Sequence, residues 1–207
     1  MTDTRDPIRL TASEKGQAGR MLARAFLEDP AYTLILPAPA RRERALQRLF
    51  GAFVGYSLVY GLVHTTPDVA GAACWPPPGN TEVTLWRMLR TGLGLQRAVA
   101  RFPTQARQSF LAALAYMDEI HKREAPGPHW YLWALGVEPE RQGRGIGSRL
   151  IAPVLAQADR EGVPCYLETE TEDNVAFYQK RGFGVVSDGL VPGQSLRIWT
   201  MLREPAQ

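Results

Sequence analysis

Residues 129–148 read HWYLWALGVEPERQGRGIGS, and this stretch decides the fold. Its first nine residues are so rich in aromatic and apolar types that they predict a central strand. A short turn follows, then glycines alternate at Gly143, Gly145 and Gly147, with Ser148 where a helix begins. Without Cβ atoms in the way, successive N–H groups of such a loop converge on one anion. The helix N-terminus adds the positive end of its dipole, equivalent to roughly half an elementary charge. Arg141 and Arg144 bring full charges to the same loop, which suits a ligand carrying several phosphates. The helix, expected from about residue 145 to 161, carries Leu150, Ile151, Val154, Leu155 and Ala158 on one face that can pack on a sheet. Pro153 removes one of its hydrogen bonds and predicts a kink.

The same glycines also suit a tight left-handed turn that binds nothing. A Walker A loop is excluded, because no Gly-Lys-Ser/Thr is present. A dinucleotide loop gains some support from Glu168, which ends the next strand where such a fold holds a ribose. Against it, the pattern is GxGxG rather than GxGxxG and starts several residues after the strand. Too little chain remains for a second mononucleotide half.

Working outward, VPCYLET predicts the next strand, residues 174–181 a short helix, and FGVVS and SLRIWTM two closing strands. Toward the N-terminus, Ser13 is expected to cap a helix with apolar Ala18, Met21, Leu22, Ala25 and Phe26, ended by Asp29-Pro30. Pro39 opens a second helix that reaches about Tyr60. The runs 62–66 and 69–75 form a hairpin of strands about Pro67-Asp68. Residues 82–101 and 105–122 return to a helical pattern and interrupt the strand-rich order.

The chain has 207 residues, 45% hydrophobic and 22% charged, and the expectation is one domain over residues 1–207. Its 24 basic and 21 acidic residues leave a formal charge of +3, spread rather than striped, so nucleic acid is not an expected partner. No stretch long enough for a membrane span escapes charges or Gly/Pro, and the polar start MTDTRDPIRLTASEKG has no apolar core of a signal peptide. With two cysteines, Cys74 and Cys165, outside any CxxC pair, a cytoplasmic location is expected. The three histidines, His64, His121 and His129, lie far apart in sequence with no ligand set, so no metal is assigned.

Gln142-Gly143-Arg144-Gly145-Ile146-Gly147 resembles the Q/R-x-x-G-x-G/A acetyl-CoA loop of the GNAT superfamily of acetyltransferases. The order LGVEPERQGRGIGS, VPCYLETE, DNVAFYQKRGF and IWTMLREP is similar to the puromycin N-acetyltransferase subgroup along the C-terminal half. The resemblance implies an α/β fold of the GNAT type, a mixed and mostly antiparallel sheet. Two parallel central strands would splay apart between flanking helices, with a helical insertion at about 82–122. It also implies acetyl-CoA as co-substrate, its pantetheine arm along Leu135, Gly136 and Val137, and its diphosphate on Gln142 through Ser148, Ile146 and Ser148 included. Asn174 is a plain helix cap or a cap that also touches the cofactor, and Phe177 joins the cofactor-binding set.

Acetyl transfer to an amine needs a neutral amine, stabilisation of an oxyanion and a proton for the departing thiolate. Tyr178 resembles the family tyrosine that protonates the sulfur; by spacing alone it would be a core aromatic beside Phe177 and Phe183. The strand 129–137 carries no carboxylate, unlike that of some family members, so the base is assigned to Glu168, which shares a strand face with Tyr166. A paired or solvated strand-end carboxylate is the other reading of Glu168. Asp29 and Tyr32 are reserve candidates lining the acceptor pocket. The resulting expectation is an N-acetyltransferase acting on a small-molecule amine, antibiotic- or amino-acid-like, as a monomer or homodimer. The alternatives are acetylation of a protein or peptide amine, a non-catalytic acyl-CoA-binding module, and a nicotinamide-dependent oxidoreductase.

Overall fold

The computed structural model describes residues 6–206; the reading of residues 1–5 lies outside the described residues. Strand β1 (Ile8–Arg9) precedes a turn of 3₁₀-helix, and the cap there is Thr11 rather than Ser13: its N–H donates to the Glu14 carboxylate at 2.9 Å. Helices α1 (Lys15–Ala25) and α3 (Pro39–Tyr60) follow the predicted apolar spacing. Between them the AYTLILP segment forms a short helix, α2 (Pro30–Ile35), with Asp29 as its N-cap and Pro30 at its first position. Strands β2 (Leu62–Thr65) and β3 (Gly71–Trp75) make the expected hairpin. The helical insertion is three helices rather than two: α4 (Leu85–Arg90), α5 (Gly94–Ala100) and α6 (Thr104–Glu124).

The decisive stretch departs from a single strand. It divides into β4 (Trp130–Tyr131) and β5 (Ala134–Val137), which belong to different sheets. Helix α7 (Ile146–Glu161), strand β6 (Cys165–Thr169), helix α8 (Glu172–Gln179) and strands β7 (Gly184–Leu190) and β8 (Arg197–Arg203) complete the chain. One sheet has the order β1-β2-β3-β5 and is antiparallel throughout. The other has the order β4-β6-β8-β7, in which only β4 and β6 run parallel. The mixed sheet with two splayed parallel strands is thus present as two half-sheets joined through one strand. Helix α7 runs through Pro153 without ending, since Leu150, Ile151, Val154 and Ala158 are buried on both sides of the proline and hold the segment.

Two cores flank this joint. Met21, Leu22, Leu46, Leu49, Phe50 and Val54 pack α1 against α3 and the first sheet, while Trp75, Leu150, Ile151, Val154 and Leu167 pack α7 across both sheets. A smaller cluster of Ala113, Val191, Leu196 and Ile198 seats α6 on the far end of β8. Among the described residues no helix is long and apolar enough to cross a membrane.

Helices α1 and α3 meet where Gly19 lies on Gly51: a Cβ at Gly19 would stand 2.8 Å from the Gly51 Cα. Replacing a helical glycine by alanine ordinarily gains about 1 kcal/mol of propensity. Here the added methyl meets backbone that cannot rotate away, and overpacking of this kind costs about 1–3 kcal/mol. Gly19→Ala is therefore expected to lower the urea midpoint with an unchanged m-value. A raised midpoint would show that the helices separate freely.

Candidate functional site

The hydrogen bonds of residues 130–138 show how the site opens. Tyr131 and Trp133, odd-numbered, donate to Pro76 and Cys74 of the first sheet, whereas Trp130 and Leu132 donate to Pro164 and Tyr166 of the second. Farther on it is the even-numbered Glu138 that donates to the first sheet, at Ala70 (2.9 Å). The parity change means that one extra residue is taken up between Trp133 and Glu138, a β-bulge. After Leu132 pairing with β6 ends. In the antiparallel ladder of β3 and β5, Gly136 and Ala134 then face β3, and Leu135 and Val137 turn their N–H and C=O groups the other way. Beside them a gap widens between β5 and β6. On its open side the Val137 carbonyl accepts from Gln142 Nε2 at 3.2 Å.

The loop closing this gap is built as its glycines require. Gly143 and Gly145 both sit at φ +74°, and Gly145 caps α7. Gln142 donates its N–H to Pro139, and Arg149 is the next to do so, to Gly145. The six amides between, Gly143 through Ser148, have no protein acceptor among the described residues. Ile146 anchors the loop in the core, and Gly147 lies against Phe177 and Leu135. Six amides without acceptors, at the positive end of a helix, fit a diphosphate.

The charges around the loop differ from expectation. Arg141 is ion-paired with Asp68 at 2.5 Å and so ties the loop to the β2–β3 turn, while Arg144 donates to the Glu140 carbonyl. A third arginine, not anticipated, comes from the end of α8. Arg181 donates to the Ser148 hydroxyl and the Phe177 carbonyl, with its guanidinium 3.4 Å from the Phe177 ring centroid. Asn174 is not the helix cap: Thr171 is, and it accepts the Asn174 N–H at 3.2 Å. Asn174 itself is an exposed third residue of α8.

Tyr178 is buried between Phe177 and Phe183, its ring edge-on to both, and its hydroxyl bonds to no protein group. Burial, with the Glu170 charge second, holds its pKa above the ordinary phenol value. Glu168 is half-buried and accepts from the Tyr131 hydroxyl at 2.5 Å. Burial pushes its pKa up to about 7, with the Tyr131 and Tyr166 hydroxyls opposing the rise. Its second oxygen, Oε1, and the Tyr166 hydroxyl are both buried as neighbours on this face.

Asp29 caps α2, accepting from the Ala31 N–H at 3.0 Å, and its pKa is raised by burial. Tyr32 lies edge-on to Phe26 and Phe50. Glu170, overlooked in the sequence, is raised by burial and by the charges of Asp29 and Glu168. The alternation along LETE places Tyr166, Glu168 and Glu170 on one face, and that was the available signal. An open cavity of about 420 Å³ lies beside Glu170, lined also by Pro30, Thr33, Leu34, Leu196 and Arg197.

Two histidines read as far apart are brought together. His121 of α6 and His129 are buried with their Nε2 atoms 2.7 Å apart. His129 Nδ1 lies 2.8 Å from the Gly127 carbonyl and must donate to it, so His129 Nε2 accepts and His121 Nε2 donates. Burial depresses both pKa values, that of His121 to about 4. The His121 ring stacks on Tyr166 at 4.9 Å and so backs the face that carries Glu168. Among the described residues no group of three or more His, Cys, Asp or Glu is placed to hold a metal ion.

A model of the acetyltransferase (GNAT) family matches residues 105–183. An uncharacterized N-acetyltransferase of Schizosaccharomyces pombe is 28% identical over 206 residues, which cover 95% of this chain and 82% of that protein. Among solved structures, a histone acetyltransferase HPA2 and related acetyltransferase from Corynebacterium glutamicum aligns with a TM-score of 0.65 at 20% identity, over 98% of each chain. The Drosophila melanogaster polyamine N-acetyltransferase, which forms N-acetylagmatine, aligns with a TM-score of 0.60 at 15% identity, over 96% of this chain and 100% of that one.

The Glu168 pKa has a consequence for stability. Since the folded chain binds this proton more tightly than the unfolded chain, where the ordinary value is 4.5, the associated stability is complete below that value and lost as pH rises through about 7. Glu168→Gln keeps the shape and cannot ionise. Its melting temperature relative to the wild type is expected to rise between about pH 5 and pH 8; a constant difference would mean that Glu168 ionises at no cost.

Proposed function

This chain is a GNAT-family N-acetyltransferase, and from that premise we propose that it takes the acetyl group from acetyl-CoA and delivers it to a primary amine of a small molecule. The observation that carries the donor assignment is the row of six acceptor-less amides, Gly143 to Ser148, at the mouth of the gap beside β5. Those amides would hold the diphosphate, and the outward-turned backbone of Leu135 and Val137 would pair with the amide-bearing pantetheine arm. Phe177 packs under the loop at Gly147. When bound, acetyl-CoA supplies a thioester carbonyl open to attack by an amine.

Glu168 would take the proton of the attacking amine. Burial suits that role, because a base is most effective with a pKa near the working pH. Tyr178 would give its proton to the departing sulfur; a raised phenol pKa keeps that proton available across neutral pH. An N–H turned into the gap from Leu135 or Val137 would meet the developing oxyanion. The acceptor would enter past Asp29 and Tyr32. The order of motifs in the C-terminal half, similar to that of the puromycin N-acetyltransferase subgroup, and the polyamine N-acetyltransferase among the structural neighbours both support a small amine.

An acetyl-CoA consumption screen over aminonucleosides, aminoglycosides, polyamines and peptides is expected to give turnover with small amines; absence of acetyl-CoA binding by calorimetry would end the proposal. Tyr178→Phe is expected to cut kcat by about 10²-fold or more while acetyl-CoA affinity is retained. Glu168→Gln is expected to lower kcat/KM and abolish its rise with pH near 7. Wild-type turnover in the Phe variant, or an unaltered pH profile in the Gln variant, removes that residue from its role.

A further inference from the structure

The Glu168 carboxylate is held from behind, and the hold begins in the helical insertion. Tyr131 and Tyr166 are register partners on the parallel strands β4 and β6, with ring centroids 5.4 Å apart and planes at 68°. The Tyr131 hydroxyl donates to Glu168 Oε2 at 2.5 Å, and the Tyr166 hydroxyl is a buried neighbour of the same carboxylate. His121, from α6, lies against both phenol rings: 4.9 Å from Tyr166 at an interplanar angle of 23°, and 4.6 Å from Tyr131 at 45°. Tyr131 also meets the Trp133 ring edge-on at 6.1 Å, and Trp133 is stacked in turn on the buried Tyr56. The ring that delivers the hydrogen bond to Glu168 is thus hemmed in by other rings.

The imidazole is itself pinned. Its Nε2 donates to His129 Nε2 at 2.7 Å, and His129 is fixed in turn by the Gly127 carbonyl at 2.8 Å. An apolar side chain at position 121 would fill the same space, yet nothing would fix its rotation. The hydrogen-bonded imidazole presents a flat plate in one orientation.

A phenol bonds more strongly to an ionised carboxylate than to a neutral one, so Tyr131 favours the charged form of Glu168 against the effect of burial. The two cannot exchange roles, because burial and then the Glu168 charge hold the Tyr131 pKa well above the ordinary phenol value. The other groups facing Glu168 give no such help. Glu124 at the end of α6 and Glu170 just past β6 add negative charge, both imidazoles are neutral at pH 7, and the charge of Arg123 is felt at Tyr166. Besides its own main chain, the two phenols are what opposes the rise at Glu168.

We infer that Tyr131 positions the Glu168 carboxylate and sets its proton affinity, and that His121, brought in by α6 of the insertion, holds Tyr131 in that task. The inference rests on Glu168 as the base of amine acetylation and adds two positioning residues to it.

Tyr131→Phe keeps the ring and removes the donor. The rise of kcat/KM with pH is expected to move upward by about one pH unit or more, a tenfold change in proton affinity, and kcat/KM at pH 7 to fall about fivefold or more, with acetyl-CoA affinity unchanged. His121→Ala is expected to move the rise in the same direction, and His121→Phe, which restores a flat ring, to bring it back toward the wild type. If His121→Ala does not fold, His121→Leu, which fills the space without a flat ring, takes its place. A rise that stays where it is in Tyr131→Phe overturns the inference; one that moves there but not on loss of the flat ring at 121 overturns the part given to His121. Should no amine be acetylated, or should Glu168→Gln leave the rate unaltered, the reading of Glu168 as base fails, and a measurement without substrate decides the inference. The melting temperature of Glu168→Gln relative to its parent climbs with pH until the folded-state pKa of Glu168 is passed. With Tyr131→Phe as the parent, the upper end of that climb is expected to lie about one pH unit higher; an upper end at the same pH overturns the inference.

Discussion

One strand cannot stay paired on both sides while it changes partners, and the site follows from that constraint. Up to Leu132 the chain satisfies both neighbours alternately; the extra residue beyond Trp133 shifts the parity, and the strand continues with the first sheet alone. The amides of Leu135 and Val137 are thereby released toward a gap that no strand fills. Unpaired backbone groups in a sheet are ordinarily a liability. Here their place at the centre of the molecule protects them from edge-to-edge pairing and reserves them for a ligand with amides of its own.

The two ends of the gap are set by opposite electrostatics. At the loop end, main-chain N–H groups, the α7 dipole and Arg181 favour anions. At the β6 end, Glu168, Glu170 and Asp29 are held in half-buried positions that raise all three pKa values. Tyr178 lies between, close enough to feel Glu170 on one side and Arg181 on the other. A donor rich in phosphate and an acceptor rich in amine would therefore enter the same cleft from opposite sides without competing for one subsite. The stack of His121 on Tyr166, backed by the His121–His129 hydrogen bond, fixes the wall behind Glu168 without adding a charge, because both imidazoles are neutral at pH 7.

The elements were legible where local chemistry decides them. The glycine loop, α7, the β2–β3 hairpin and α3 stand at or near the boundaries that periodicity and capping indicate. What escaped depends on partners distant in sequence. Nothing in WYLWALGV states that it divides between two sheets, because its composition suits burial in either. Thr11 and Thr171, not Ser13 and Asn174, cap their helices, a difference of two or three residues that side-chain geometry settles. Arg181 is invisible to spacing, since it joins the end of α8 to Ser148 in α7, and the His121–His129 pair, though close in sequence, depends on how the connector after α6 folds back. Glu170 is the instructive miss: the alternation that singled out Glu168 applied to it equally, yet it lies one residue beyond the strand.

The cysteines, one in β3 and one in β6, are fully buried, and burial pushes both thiols up to about 12. A thiol in that state is a poor nucleophile at neutral pH, since the thiolate is the attacking form. An activated acyl donor resting between the sheets would thus meet no sulfur able to capture its cargo, and the polypeptide escapes stalling as its own acylated by-product.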